Sequence, residues 1–169
     1  MDAPIRLATV ADARALAELR YEFRASIAQP TEEREAFVAR TERWMTDRLR
    51  VPGPWYCWVA EREDVIVGNL WMQLIEKVPN PIPEQECHAY ITNVYVRPAA
   101  RGGIGERLLE AAIATAREAR VDAVILWPTE QSRSLYARHG FAVRGDLLEA
   151  VLDSERIVAP QREGGESVT

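Results

Sequence analysis

The 169-residue chain has little of what several common chemistries require. Cysteine occurs twice, at Cys57 and Cys87, and neither lies in a CxxC or Cys/His spacing, so no zinc site is suggested. Two thiols this far apart in sequence read as reduced side chains, not as a disulfide. Histidine also occurs twice, at His88 and His139, which is too few for a multi-histidine metal centre. No apolar run reaches the ~18 residues that a membrane span needs. The first residues lack a basic region followed by an apolar one, so no secretory signal is expected. Cations are not in excess: 21 Lys and Arg stand against 26 Asp and Glu, a net charge of −5. This argues against a broad nucleic-acid surface, which depends on clustered Lys and Arg. The expectation is a cytoplasmic protein with no metal and no membrane or nucleic-acid partner.

What is present is ordinary for a globular domain: 47% hydrophobic and 28% charged residues, enough for a real core. The pattern predicts a first strand at 5–8. Thr9 offers an N-cap, with Asp12 three residues on as a capping-box variant, and a helix over about 10–28 follows. Pro30 stops it, and Thr31 is expected to cap a second helix over 32–49. Pro52-Gly53-Pro54 ends the helical half. Strands at 55–61 and 65–76 flank an Arg62-Glu63-Asp64 turn and make a hairpin. Gly68 inside the second suggests a bulge or a close backbone approach. A proline-rich loop leads to a central strand over 87–96, a glycine turn, and a helix over 106–120. A buried strand at 121–127 and a short helix at 129–139 ended by Gly140 come next. Last strands are expected at 141–143 and 147–152, and a polar tail from Ser154. The order implies a mixed α/β sheet with helices on both faces.

One stretch carries chemistry. Asn93-Val-Tyr-Val-Arg-Pro-Ala-Ala-Arg-Gly-Gly-Ile-Gly105 is a strand that enters a glycine turn and opens a helix. A helix start presents free N–H groups and a positive dipole end, and glycine lets the backbone approach an anion closely. Such a turn can hold a pyrophosphate; it can also be a tight connection and nothing more. A nucleotide P-loop is excluded because GxxxxGK[ST] is absent. A dinucleotide fingerprint is excluded because Leu108 stands where the third glycine belongs. A second element, Thr129 to Phe141, places Thr129, Ser132 and Tyr136 on one helix face. Hydroxyls there suit either a solvated face or a ligand.

Together the two elements resemble the GNAT superfamily of acetyl-CoA-dependent N-acetyltransferases. Leu-Tyr-Ala-Arg-His-Gly-Phe141 matches its Y-x-x-x-G-F signature, and Val96-x-Pro98 precedes the turn as in that family. The resemblance implies a GNAT-like acyl-CoA N-acyltransferase fold with splayed central strands, over residues 1–153, with 154–169 as the tail. It implies that the backbone of Asn93, Val94, Tyr95 and Val96 pairs with the pantetheine arm of acetyl-CoA. It further implies that amides of Arg101, Gly102, Gly103, Ile104, Gly105 and Glu106 hold the pyrophosphate. Tyr136 matches the position that often protonates the departing thiolate, while of the other cofactor-binding candidates Thr129 falls where the family usually has Asn and Ser132 where it usually has a small residue. Read back from Gly103 and Gly105, the family's R/Q-x-x-G-x-G/A pattern puts Ala100 in first place. Aligned on Pro98 and Arg101, the turn is one residue short, and the intact phase of the following helix favours that reading.

The implied reaction is direct attack of a primary amine on the thioester, with a small-molecule acceptor preferred. Tyr90, where relatives can carry a glutamate, and the imidazole of His88 are the candidate bases. The alternatives are a catalytically silent CoA-binding or regulatory module, and a protein acetyltransferase. A homodimer is compatible with the resemblance.

Overall fold

Residues 66–72 are buried at every position, whereas a strand with one wet face would alternate. Helices covering this strand on both sides are the reason. The computed structural model describes residues 3–145, 147–150 and 152. Five strands form one open sheet in the order β1-β2-β3-β4-β5. They are β1 (Ile5–Leu7), β2 (Trp55–Arg62), β3 (Val65–Glu76), β4 (Cys87–Val96) and β5 (Ala123–Ile125). The first four pair antiparallel, and β4 and β5 are parallel. The helices are α1 (Ala13–Ala25), α2 (Arg34–Arg50), α3 (Ile104–Glu118) and α4 (Arg133–Arg138). The chain divides into two compact units, Met1–Leu126 and Trp127–Thr169. The sheet and the first three helices lie in the first unit, and α4 in the second.

Alternation along the strands sorts the core. Cys57, Val59 and Trp71 face α1 and α2, where they pack with Leu16, Leu19, Val38 and Met45. Trp44, Trp55 and Trp71 form an aromatic cluster there, with ring centroids 5.1–6.2 Å apart. Most of the N-terminal aromatics therefore belong to the core. On the other face Gly68 opens towards Ile104, the first residue of α3. Burial pushes the Cys57 thiol well up, and neither cysteine is in a disulfide.

Local signals mostly act as the sequence predicts. The Asp12 carboxylate accepts from the Thr9 N–H at 2.7 Å and from the Thr9 hydroxyl at 3.1 Å, and a 3-10 turn, Val10–Asp12, leads into α1. The β2–β3 connection is two residues, Glu63 and Asp64, both at positive φ (52° and 61°). This is the geometry whose twist matches that of a hairpin. At Gly68 both expectations hold: the ladder shifts register beside it, between Ala60 and Glu61, and the backbone of β4 lies close.

Three expectations need correction. Thr31 does not cap α2; Glu33 occupies the N-cap position without a side-chain cap bond. Charge fixes this end instead, through Arg34 to Glu18 and Arg40 to Glu32. The strand expected over 121–127 shrinks to three residues. No strand forms at 141–143 or among the described residues of 147–152; residues 146 and 151 lie outside them. Phe141 turns back on α4 instead, its N–H bonding the Tyr136 carbonyl at 3.1 Å and its ring meeting Tyr136 edge-on at 5.6 Å. Val143 and Leu148 are then left 88% and 92% exposed, with no sheet to bury them. The tail 154–169 also lies outside the described residues. Among the described residues, no helix is long and apolar enough to cross a membrane, and no cluster of three or more His, Cys, Asp or Glu side chains could hold a metal ion.

Candidate active site

The site starts from an inequality of strand lengths. β5 pairs with β4 only at His88, Ala89 and Tyr90, while β4 continues to Val96. Beyond Tyr90, no strand among the described residues pairs with β4 on that side. The sheet forks, as the splayed-strand expectation requires.

Backbone direction follows from two bonds. The Cys87 carbonyl accepts from Asp122 at 2.9 Å, on the β5 side, and the Arg97 N–H is given to Val67 at 2.9 Å, on the β3 side. Antiparallel pairs alternate between bonded and non-bonded, so counting back from Arg97 directs Tyr95 and Asn93 to β3. The N–H and C=O of Val94 and Val96 therefore point into the fork. Between the two halves the register slips: Trp71 faces Asn93 but Met72 faces Ile91. Thr92 is the additional residue of this β-bulge.

At the far end of β4 lies the turn. A 3-10 turn, Pro98–Ala100, is followed by Gly102 (φ 127°) and Gly103 (φ 83°), both in backbone territory that favours glycine. Gly103 is the N-cap of α3, and the Arg107 N–H bonds its carbonyl at 3.1 Å. Among the described residues no acceptor takes the N–H of Gly102, Gly103, Ile104 or Gly105. A Cβ built on Gly102 or Gly103 meets nothing within 4 Å. Unspent amides facing open space at a helix start fit a pyrophosphate. Arg101 differs from expectation: its N–H bonds the Pro98 carbonyl at 3.4 Å, so it has only its exposed side chain to offer an anion. The Arg97 guanidinium locks the turn to α1, reaching both carboxylate oxygens of Glu22 at 2.8 and 2.9 Å.

His88 and Tyr90 share the α1 side of the sheet with Asn93, opposite Ile75, Gln73 and Trp71 of β3. Tyr90 is the last residue paired with β5, so it stands at the fork. His88 lies two residues inside the closed part, and its Nδ1 is buried with no partner. Sequence reasoning missed Arg20 of α1, which donates from Nη1 to Asn93 Oδ1 at 2.8 Å. Asn93 Nδ2 in turn donates to Asn69 Oδ1 at 3.3 Å. No local motif marks this trio; the polar Asn69 inside a buried apolar run was the one available signal.

In the second unit, Thr129, Ser132 and Tyr136 form one cluster. The Thr129 N–H and hydroxyl each donate to Ser132 Oγ at 2.9 Å. Tyr136 is buried, which pushes its phenol up to about 12, with a hydrogen bond from Ser132 pulling the other way.

With this geometry in place, the chain matches the Acetyltransferase (GNAT) family over residues 15–141. No curated protein matches it. Among solved structures it is similar to a predicted acetyltransferase with acetyl-CoA from Clostridium acetobutylicum, at 23% identity and TM-score 0.74, over 88% of this chain and 96% of that one. It is similar to the ribosomal-protein-alanine N-acetyltransferase of Brucella melitensis biovar Abortus 2308, at 19% identity and TM-score 0.65, over 89% and 99%. It is likewise similar to glucosamine-6-phosphate N-acetyltransferase of Arabidopsis thaliana, at 18% identity and TM-score 0.66, over 90% and 100%. At these identities the likeness is one of fold.

Proposed function

The chain belongs to the GNAT acetyltransferase family, and from that premise we propose that it acetylates a small-molecule primary amine by direct attack on acetyl-CoA. One observation carries the reading. The open edge of β4 from Val94 to Val96 runs straight into the unspent amides of 102–105. An extended amide-bearing arm ending in a pyrophosphate has the shape and polarity of that track.

When bound, acetyl-CoA supplies an activated acetyl thioester. The chain supplies the rest. Val94 N–H, turned into the fork, is the donor for charge that develops on the acetyl oxygen. An alkylammonium titrates near 10.4 and must lose its proton before attack. Tyr90, at the fork, relays that proton, its phenol oxygen accepting it as its own O–H proton passes to water; His88 is the second candidate. Tyr136 enters through the Y-x-x-x-G-F signature as proton donor to the departing sulfur. Its raised phenol keeps that proton in place throughout the neutral range.

The acceptor is the finer question. Two structural relatives are named for a sugar phosphate and for a ribosomal-protein alanine, so kinship alone supports either class. The loop 77–86, at the paired end of β4 and β5, supports a compact acceptor. The Lys77 N–H bonds the Glu86 carbonyl at 2.9 Å, and the Gln85 N–H bonds Asp122 at 2.9 Å. The Lys77 ammonium also pairs with both Glu84 and Asp122. A loop held this way favours a small molecule over a polypeptide passing across it.

The test is thiol release from acetyl-CoA over an amine panel, with melting temperature followed alongside. Ligands that bind only the native state raise that temperature. The reading requires a shift with acetyl-CoA and amine-dependent release. A shift without release from any amine identifies a silent CoA-binding module. No shift at saturating acetyl-CoA removes the proposal altogether.

A further inference from the structure

Arg20 is an arginine beside the fork to which the described residues offer no carboxylate. Arg6, Arg14, Arg34, Arg40, Arg97 and Arg133 each pair with a carboxylate. Arg20 has none within ion-pairing distance among the described residues. Its protein partners are neutral: the Asn93 amide, and the Phe23 ring 5.8 Å from the guanidinium carbon. A guanidinium has five N–H groups in a planar fork, and Asn93 takes one. The others have no acceptor among the described residues.

A cation taken out of water without a counter-charge is costly. Burial, and after it the nearby charge of Arg24, lower Arg20 to about 10, with Tyr90 opposing the shift. Yet the guanidinium is held firmly, because Asn93 is itself oriented by Asn69, which is fully buried. A side chain tethered by a neutral amide, with donors left unspent, is prepared to receive an anion from outside.

The position identifies which anion. From Asn93 to Val96 the strand covers about 10 Å, and the phosphate-binding turn begins only after that. The pyrophosphate therefore lies at the other end of the track, and Arg20 stands at the thioester end, near Tyr90. Resting on the acetyltransferase reading above, we infer that Arg20 recognises an oxyanion of the acceptor. The acceptor class is thus an amine carrying a carboxylate or a phosphate on the same molecule. The planar fork suits either group through two parallel N–H···O bonds.

Matched pairs test this with the full chain and acetyl-CoA. α-Amino acids are compared with their amides, O-phosphoethanolamine with ethanolamine, and glucosamine 6-phosphate with glucosamine. At least one oxyanion-bearing member should exceed its neutral counterpart in kcat/KM by about 30-fold, the scale of a charge-assisted pair of bonds. The arm that responds tells carboxylate from phosphate. Arg20→Met should bring that ratio close to one while keeping the acetyl-CoA melting shift, and Arg20→Lys should fall between. Ratios close to one in the wild type overturn the inference without any variant, as does a ratio that survives in Arg20→Met. Silence of every oxyanion-bearing amine, in thiol release and in added melting shift on CoA-loaded protein, overturns it too. Absence of any acetyl-CoA shift is the separate failure of the acetyltransferase reading.

Discussion

Gly68 lies where β3, the end of β4 and the start of α3 come together, and replacing it with alanine tests whether that junction sets the coenzyme site. A Cβ there would meet Val96 Cγ2 at 3.0 Å, the Tyr95 carbonyl oxygen at 3.1 Å and Ile104 Cγ2 at 3.5 Å. Ordinary carbon contacts are about 3.5–4.0 Å, so two of the three are too close. The backbone angle is one any residue can adopt, so the substitution acts through contact alone. Forcing a methyl into a packed site costs about 1–3 kcal/mol. Stiffening the unfolded chain returns about 0.4–1 kcal/mol. The net expectation is about 1–2 kcal/mol of lost stability, read in urea as a lower midpoint with an unchanged slope. The direction of relief matters as much. Tyr95 faces Asn69 in the ladder and cannot retreat, so Val96 and Ile104 must yield. Ile104 carries one of the unspent amides and adjoins Gly103 and Gly105. The acetyl-CoA dissociation constant, from the concentration dependence of melting temperature, should rise severalfold. A Gly68→Ala protein with wild-type stability and wild-type coenzyme affinity would refute the argument that this contact positions the turn.

Three further outcomes follow from the same geometry. Gly103→Ala has room for its methyl but not the right backbone, since φ is 83°; it should lose about 1–2 kcal/mol, and its methyl should cut acetyl-CoA affinity about tenfold, measured by calorimetry. Tyr136→Phe should lower kcat by about 10–100-fold, at or below the lower end of the general-acid range because thiolate leaves readily, with near-normal coenzyme affinity; wild-type turnover would take Tyr136 out of the acid role. Asp12→Asn should cost about 2 kcal/mol at pH 7, because the carboxylate accepts from Arg6 and Thr9 together. Those bonds, with Arg6 the larger cause, hold Asp12 below its usual 3.8. A lowered carboxylate stabilises fully above its unfolded value and loses that contribution as pH falls through the folded one. Urea midpoints of wild type and variant should therefore converge below about pH 4.

What could be read from the sequence was whatever a short window decides. The Thr9–Asp12 cap, the hairpin turn at Glu63-Asp64, the glycines opening α3 and the Gly140 stop each depend on residues a few positions apart, and each forms. The failures have a different range. Residues 141–143 look like a strand by composition, but Phe141 is drawn back onto Tyr136, which a window over 141–143 does not contain. β5 stops after three residues because pairing with β4 ends there, and pairing across 35 positions leaves no local trace. Arg20 and Asn93 are 73 residues apart, and Asn93 and Asn69 are 24 apart. Only the folded sheet makes them neighbours.

The bulge at Thr92 explains why the site had to be seen folded. Take it away and let β4 alternate without interruption from His88 and Tyr90. Residues 92, 94 and 96 would then direct their backbone to β3, and Asn93 would project to the α3 side. Val94 would have no amide to turn into the fork, and Asn93 could not reach Arg20. One additional residue reverses both phases at once. It puts the backbone groups of Val94 and Val96 on the open edge and the amide of Asn93 under α1. The same slip occurs at Thr92, two residues past the last β4–β5 pair, so the end of pairing and the change of phase fall together. A donor for the thioester oxygen and an anchor for the guanidinium thus arise from a single irregularity in one strand. Nothing in the composition of residues 87–96 distinguishes that strand from a regular one.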